Sequence, residues 1–573
     1  MSTLFQRLTD APERGGLNAR AWIVLMLLAV AALAPGLFAI PAMDRDESRY
    51  AQASRQMMEA GDYLNIKFQD YDRHKQPAGS YWLQSLFAQP LGGAEAPIGA
   101  HRLPGFFLAL MSVAITAWLG ARMFSPLVGL AAGVVLATTL VLSVEARTAK
   151  TDAILLGVGM VAQAALMILM VEIKRPRPAF WGWPALMWAA LGVTLLVKGP
   201  IFLMITALTL AVFAAWKRDA GLLLKVRPLP GAALALAIFT PWFIAINLET
   251  DWAFAMEAIG HSMLGKVGEA QEAHSGPLGF HIAMTALTLW PGVALLGLGL
   301  LAAWRFRGRD EVKFLIAWIA PTYLVFEIVA TKLPHYTLPS FPAVALLIGL
   351  GLAHVSGLLS GTRTKVLHWV FAGIAAIVAI VISLAPVIAN MELDQPQTLA
   401  AYLTVAFGVV AAGAILALAA QPSLERLLAG AAAAAALYTC AFAFAIPAMD
   451  RLWTSDRLGR FVDTLQAEGC EEIRVVTANY REPSLAFNLG AETWLAYDGA
   501  DAARALLDRP ECGVAIVDAA WRADFDAAIA ASDAALRMLG RYEGYNAVKG
   551  DDLSLAIVTL EQSRVGQDRA PAG

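Results

Sequence analysis

Several short segments of this sequence gather groups able to move a proton or hold a phosphate. In Asp46-Glu47-Ser48-Arg49-Tyr50-Ala51, the residues Asp46, Arg49 and Tyr50 stand at i, i+3 and i+4. A helix there puts a carboxylate, a guanidinium and a phenol on one face. A carboxylate can accept the proton of an attacking hydroxyl. The same spacing also suits a solvated helix with an internal ion pair. Asp44, two residues before Asp46, adds a second carboxylate. Tyr71-Asp72-Arg73-His74-Lys75 is followed closely by the aromatic pair Tyr81-Trp82, which suits a membrane interface. Glu145-Ala146-Arg147-Thr148-Ala149-Lys150-Thr151-Asp152 runs directly into an apolar stretch. Asp152 there reads either as a helix cap or as a functional acid at a membrane boundary. Lys198-Gly199-Pro200, then His261, Lys266 and His274, and finally Lys332-Leu333-Pro334-His335-Tyr336 add cations and imidazoles. A single such lysine commonly snorkels. Several on one face form a basic rim fit for a lipid phosphate.

The elements that must position these groups are membrane helices. The chain has 573 residues, of which 58% are hydrophobic and only 16% charged, with a net charge of −3. Its mean hydropathy is +0.59. A disordered chain, a disulfide scaffold and an ordinary soluble enzyme are excluded. No basic excess exists to neutralise nucleic-acid phosphates. Apolar runs begin near Ala21, Leu103, Pro126, Ala153, Phe180, Ile201, Gly231, His281, Phe314, Leu338, Val366, Leu399 and Leu428. At about 20 residues per crossing they predict a polytopic α-helical protein of about thirteen transmembrane helices.

Basic residues give the orientation. Arg122, Lys174, Arg175, Arg177, Lys217, Arg218, Arg305, Arg307, Arg309, Arg363, Lys365 and Arg426 all fall on the side of the basic N-terminus. By the positive-inside rule that side is cytoplasmic. Residues 1–20 are then a cytoplasmic N-terminus and 21–447 the membrane domain. Loops 42–100 and 248–280 lie outside, as does a C-terminal domain, 448–561, followed by a polar, disordered tail, 562–573. Every chemical motif falls on the outer face. Strand-like runs 472–479, 493–497, 514–517 and 553–560 alternate with helical periodicity at 455–467 and 502–507, which predicts a small α/β domain. Cys470 and Cys512 lie in it. They pair if the domain is extracytoplasmic, or remain two free thiols.

DESRYA at Asp46, HKQPAGSYW at His74, RTAKTD at Arg147, VKGP at Val197 and KLPHYTLPSFP at Lys332 resemble, in order, the lipid A aminoarabinose transferase family and its protein O-mannosyltransferase relatives. These are GT-C membrane glycosyltransferases that use polyprenyl-phosphate sugars. The resemblance implies a GT-C fold, Asp46 as catalytic acid position and Asp152 as a second important aspartate. It also implies substrate-binding roles for Arg49, Tyr50, Lys75, Lys198, His261, Lys266 and Tyr336. His74 and Gln76 depart from the family's glutamate and proline, and that glutamate is linked to a metal. The metal set is therefore none, with zinc through His74 and His261 as the one alternative.

The expected function is transfer of a sugar from a polyprenyl (undecaprenyl) phosphate to lipid A, another glycolipid or a protein. It would occur at the periplasmic face of a bacterial inner membrane, surrounded by membrane lipids, and would invert the anomeric centre. The alternative is a lipid-linked sugar transporter or flippase, but the charges cluster at one face and no internal repeat is visible.

Overall fold

The computed structural model describes residues 8, 16–43, 45–173, 181–258, 260, 276–465, 470 and 473–566. Every apolar run contains a helix. In chain order, with the outer-loop helices included, these are α1 (Ala19–Leu33), α2 (Asp46–Ala60), α3 (Gly79–Ala88), α4 (Ile98–Met123), α5 (Pro126–Ala137), α6 (Leu140–Glu145), α7 (Asp152–Met167), α8 (Gly182–Lys198), α9 (Ile201–Lys217), α10 (Pro228–Glu249), α11 (Phe280–Thr288), α12 (Leu296–Arg305), α13 (Asp310–Ile328), α14 (Phe341–Ala353), α15 (Thr362–Glu392), α16 (Leu399–Ala420) and α17 (Leu424–Tyr438).

Among the described residues, seven helices are long and apolar enough to cross a membrane, and α11 with Gly292–Arg305 forms a further pair bent by 109°. The helices α1, α5, α8 and α9 are apolar but shorter. Local chemistry starts them. Asn18 caps α1 through a bond from the Ala21 N–H, and Ser125 caps α5 ahead of Pro126 at the first helical position. Small residues bring α4 and α5 together. A Cβ on Gly129 would lie 2.3 Å from the Ala117 carbonyl oxygen, so only glycine permits that approach.

Burial sorts the spans. Asp152–Glu172 and Pro334–Ala353 are each 89% buried, whereas Pro228–Glu249 is 22% buried and faces outward. The two innermost spans start at Asp152 and beside His335, which puts those side chains at the centre of the bundle's end.

The C-terminal domain is α/β, as its alternation predicts. Helices α18 (Thr454–Asp463), α19 (Pro483–Leu489), α20 (Gly499–Leu507) and α21 (Arg522–Ala530) surround a five-stranded sheet. Strands β1 (Lys67–Phe68) and β2 (Tyr71–Asp72) form a separate pair between α2 and α3. The five are β3 (Arg474–Ala478), β4 (Trp494–Leu495), β5 (Gly513–Asp518), β6 (Leu536–Asn546) and β7 (Asp551–Leu560), in the order β4-β3-β5-β7-β6. β3 runs parallel to β4 and β5, and β7 is antiparallel to β5 and β6. Val475, Val514 and Ile516 pack on one face and Val476, Ala515 and Val517 on the other, so the central strands are buried on both sides.

Sequence periodicity misses β6, a half-exposed edge strand of mixed polarity, and the short helices α19 and α21. Cys470 and Cys512 form a disulfide. Parallel pairing of Arg474 with Gly513 brings the entries of β3 and β5 side by side, and each cysteine stands just before its strand. The start of the expected disordered tail is in fact held. Val565 is fully buried, and Arg537 donates to the Ser563, Val565 and Gly566 carbonyls. Residues 567–573 lie outside the described residues.

The domain sits on α2 and the loop that follows it. Arg55 of α2 donates to the Phe487 carbonyl, and Gln69 to those of Ala491 and Thr493.

Candidate active site

The helix carrying Asp46 starts abruptly. Arg45 adopts φ 60°, and α2 opens with Asp46 and Glu47 in its first turn, where carboxylates suit the helix dipole. The two acids then part. Asp46 is exposed, with no hydrogen-bond or ion-pair partner among the described residues, while Glu47 is only 2% exposed. Glu47 accepts from the Met43 N–H at 2.9 Å, from Arg102 Nε and Nη2 at 2.8 Å each, and from the Ala149 N–H at 2.7 Å. A buried carboxylate is tolerated only when so fully bonded. Glu47 thereby clamps α2 to α4 and to the loop ahead of α7.

That loop, 146–151, has two further anchors. The Ala149 carbonyl accepts from Gln84 of α3 at 3.0 Å. Arg147 turns inward, donates to Pro35, Ala32 and Ser143, and lies over the Phe442 ring at 4.4 Å. Lys150 and Asp152 are left facing the site.

Asp152 stands in the first turn of α7, and Lys198, the last residue of α8, reaches it at 2.6 Å. Both side chains are 13% exposed. Gly199 follows with φ 69°, a conformation natural to glycine, and Pro200 opens α9. His335 lies between two carboxylates, with Nδ1 3.5 Å from Glu145 and Nε2 3.7 Å from Asp152. Glu145 in turn pairs with Lys150 at 3.2 Å. A continuous run of contacts, Lys198–Asp152–His335–Glu145–Lys150, thus joins three parts of the sequence.

Asp46 faces the same region. Burial opposes the charge on Lys150, but Glu145, Asp152 and Asp46 together raise its pKa, so it stays a cation. Tyr50 is buried against Tyr81, the rings stacked at 5.0 Å, with the Arg73 guanidinium 5.2 Å from the Tyr50 ring. Burial, Tyr81, Asp46 and Asp152 push the Tyr50 phenol well above its ordinary value, so it remains a proton donor. Both aspartates therefore act electrostatically on Tyr50 and on Lys150. Beside them opens a cavity of about 570 Å³, lined by Arg49, Arg73, His74 and Lys75 among others, with Asp72 and Glu257 on its wall. Three permanent cations, Arg49, Arg73 and Lys75, face two acids there, while burial lowers the pKa of His74 and favours its neutral form.

Residues 75–244 match the family described as Dolichyl-phosphate-mannose-protein mannosyltransferase. The chain is 27% identical over 383 residues to the undecaprenyl phosphate-alpha-4-amino-4-deoxy-L-arabinose arabinosyl transferase of Pectobacterium carotovorum, covering 65% of this chain and 66% of that protein. The enzyme of the same name from Pectobacterium atrosepticum is 26% identical over 365 residues, 62% of each. The chain thus matches just under two thirds of these relatives' length. ArnT from Cupriavidus metallidurans bound to undecaprenyl phosphate superposes with a TM-score of 0.72 at 19% identity, covering 94% of this chain and 98% of that one. The chain has the GT-C fold.

Within this GT-C fold the expected site residues divide into groups. Arg49 and Lys75 line the cavity, and Tyr50 backs it through Arg73. Asp152 and Lys198 are bonded to each other, so Lys198 does not stand alone as a phosphate ligand. Neither Thr151 nor Asp152 caps α7 through its side chain, which removes the capping reading. Tyr336 packs among Phe326, His281 and His335, with ring centroids 5.2, 6.3 and 5.3 Å away. Tyr81 is fully buried beside Arg73, not at a membrane interface. Asp44, His261 and Lys266 lie outside the described residues.

His74 is buried, 3.9 Å from Asp72 and edge-on to Phe254. Among the described residues no three His, Cys, Asp or Glu side chains converge to hold a metal. Sequence reading assigns no site role to Arg73, Tyr81, Glu47, Arg102 or His335. Four of them lie inside or beside the motifs; Arg102 had no signal beyond a charge at the start of an apolar run.

Proposed function

We propose that this chain is an inner-membrane glycosyltransferase that moves a sugar from a polyprenyl phosphate to lipid A or another glycolipid at the periplasmic face. The observation that carries this reading is the buried Lys198–Asp152 pair, linked through His335 and Glu145 to Lys150, together with the cavity lined by Arg49, Arg73 and Lys75 in a GT-C bundle. Relatives named as undecaprenyl phosphate aminoarabinose transferases, and a superposing ArnT that binds undecaprenyl phosphate, support the donor class.

The donor sugar is already activated through its phosphate. Attack on the anomeric carbon forms a new carbon–oxygen bond and breaks the bond to the lipid phosphate, which leaves with the electron pair. For a hydroxyl acceptor, Asp46 takes the proton. Its exposure, with no partner among the described residues, leaves it open to substrate. For a phosphate acceptor no strong base is needed, and Asp46 orients the acceptor instead. Negative charge grows on the departing phosphate, and Arg49, Lys75 and Lys150 are the cations set to stabilise it. Asp152, fixed by Lys198, positions substrate. A single displacement inverts the centre.

The test combines mass spectrometry of lipid A and periplasmic glycolipids, with and without the gene, with transfer from purified undecaprenyl-phosphate sugars. Unchanged glycolipids together with no transfer from any donor would refute the reading.

A further inference from the structure

Both contacts to Asp152 fall on one oxygen. Lys198 Nζ lies 2.6 Å from Oδ1, and His335 Nε2 lies 3.7 Å from the same atom. Among the described residues Oδ2 has no hydrogen bond, and the side chain keeps 13% exposure. As an imidazolium, the form with an N–H on both ring nitrogens, His335 is held by charge from its far side. Nδ1 is 3.5 Å from Glu145 Oε1, and Glu145 is 4% exposed and anchored by Lys150. The ring also meets Tyr336 edge-on at 5.3 Å, which limits its rotation.

We infer that His335 is a positioning residue, braced by Glu145, which with Lys198 fixes Oδ1 of Asp152 and so presents Oδ2 to a hydroxyl of the substrate. The inference rests on the proposed transferase reading and assigns Asp152 a part in it. A carboxylate gripped at one oxygen cannot swing about its terminal torsion, so its other oxygen points in one direction. Misplacing a substrate-orienting group by about 1 Å costs about 10²-fold in rate. The bridge lies across the entries of the two innermost spans, where a small shift of either span would move Oδ2.

Two substitutions separate this role from packing. Gln at 335 carries its amide nitrogen where His has Nε2 and can still reach Asp152. Asn carries it where His has Nδ1 and reaches only toward Glu145. His335→Gln is expected to stay within about threefold of wild-type kcat. His335→Asn is expected to lose about 10²-fold in kcat, with KM changed less than threefold. Glu145→Gln is expected to lower kcat less, and to add little in the His335→Asn background. Thermal unfolding of the same purified full-length proteins gives a second readout independent of turnover. His335→Asn and Asp152→Asn should be non-additive, whereas His335→Gln should retain the coupling. Equal kcat for the Gln and Asn variants, or additive unfolding shifts for His335 and Asp152, would overturn the inference. Absence of transfer by the wild type would strike the functional reading alone, because the unfolding cycle still decides whether His335 holds Asp152.

Discussion

Glu47 and Ala149 are 102 positions apart in the chain, yet the Ala149 N–H donates to Glu47 Oε1 at 2.7 Å. That bond links the helix carrying the exposed Asp46 to the loop that leads into Asp152. The residue beside the candidate base therefore sets the base's distance from the rest of the site, while Asp46 itself stays open.

Asp46→Asn should lower transfer by about 10²–10⁴-fold, the usual worth of general-base catalysis. Asp46 is exposed and bonded to nothing described, so its thermal stability should change little. Steady-state turnover with a hydroxyl acceptor measures it. Near-normal kcat would remove Asp46 as the base.

Glu47→Ala should fail by another route. Arg102 is fully buried and pairs with Glu47 at 2.8 Å. Removing one partner leaves an uncompensated buried charge and costs about 3–5 kcal/mol. Lower yield of folded protein and a clear drop in unfolding temperature are expected, and the Glu47→Ala/Arg102→Met pair should recover part of the loss. A Glu47→Ala variant as stable as wild type would show that the buried pair contributes little.

Lys198→Ala removes the cation 2.6 Å from Asp152. We expect both a lower kcat and a raised KM, because Asp152 loses its orientation and the site loses positive charge. Adding Asp152→Asn should cost less than the two single effects combined. Unchanged kinetics in Lys198→Ala would mean that the lysine merely snorkels.

The C-terminal domain should carry an oxidised Cys470–Cys512 bond closing a 42-residue separation. Cys470→Ser should destabilise that domain by about 2–4 kcal/mol. Thiol labelling before and after reduction measures the bond. Free thiols in the native protein would place the domain in a reducing compartment. A reporter active only in the periplasm should be active when fused after Gly573 and silent near Arg307; the reverse pattern would overturn the proposed orientation.

The sequence by itself determined the membrane class, the location of every apolar helix and the order of the motifs. Hydropathy and helix capping act over a few turns of one chain segment, so they can be read along the line. It also pointed to Asp152, because an acid at a membrane boundary is costly without a role, and to Asp46, Arg49 and Tyr50 by their spacing on one helix face; Lys75 was implied by the family resemblance. Only the tertiary structure decided who pairs with whom. Lys198 meets Asp152 from 46 residues away, His335 bridges Glu145 and Asp152, and Arg73 lies against Tyr50 and Tyr81. It also brought Cys470 to Cys512 by laying β3 parallel to β5. Those partners are set by how helices and strands pack. Ion pairs and ring contacts act over a few ångströms in space, and no local spacing encodes which distant segment arrives there.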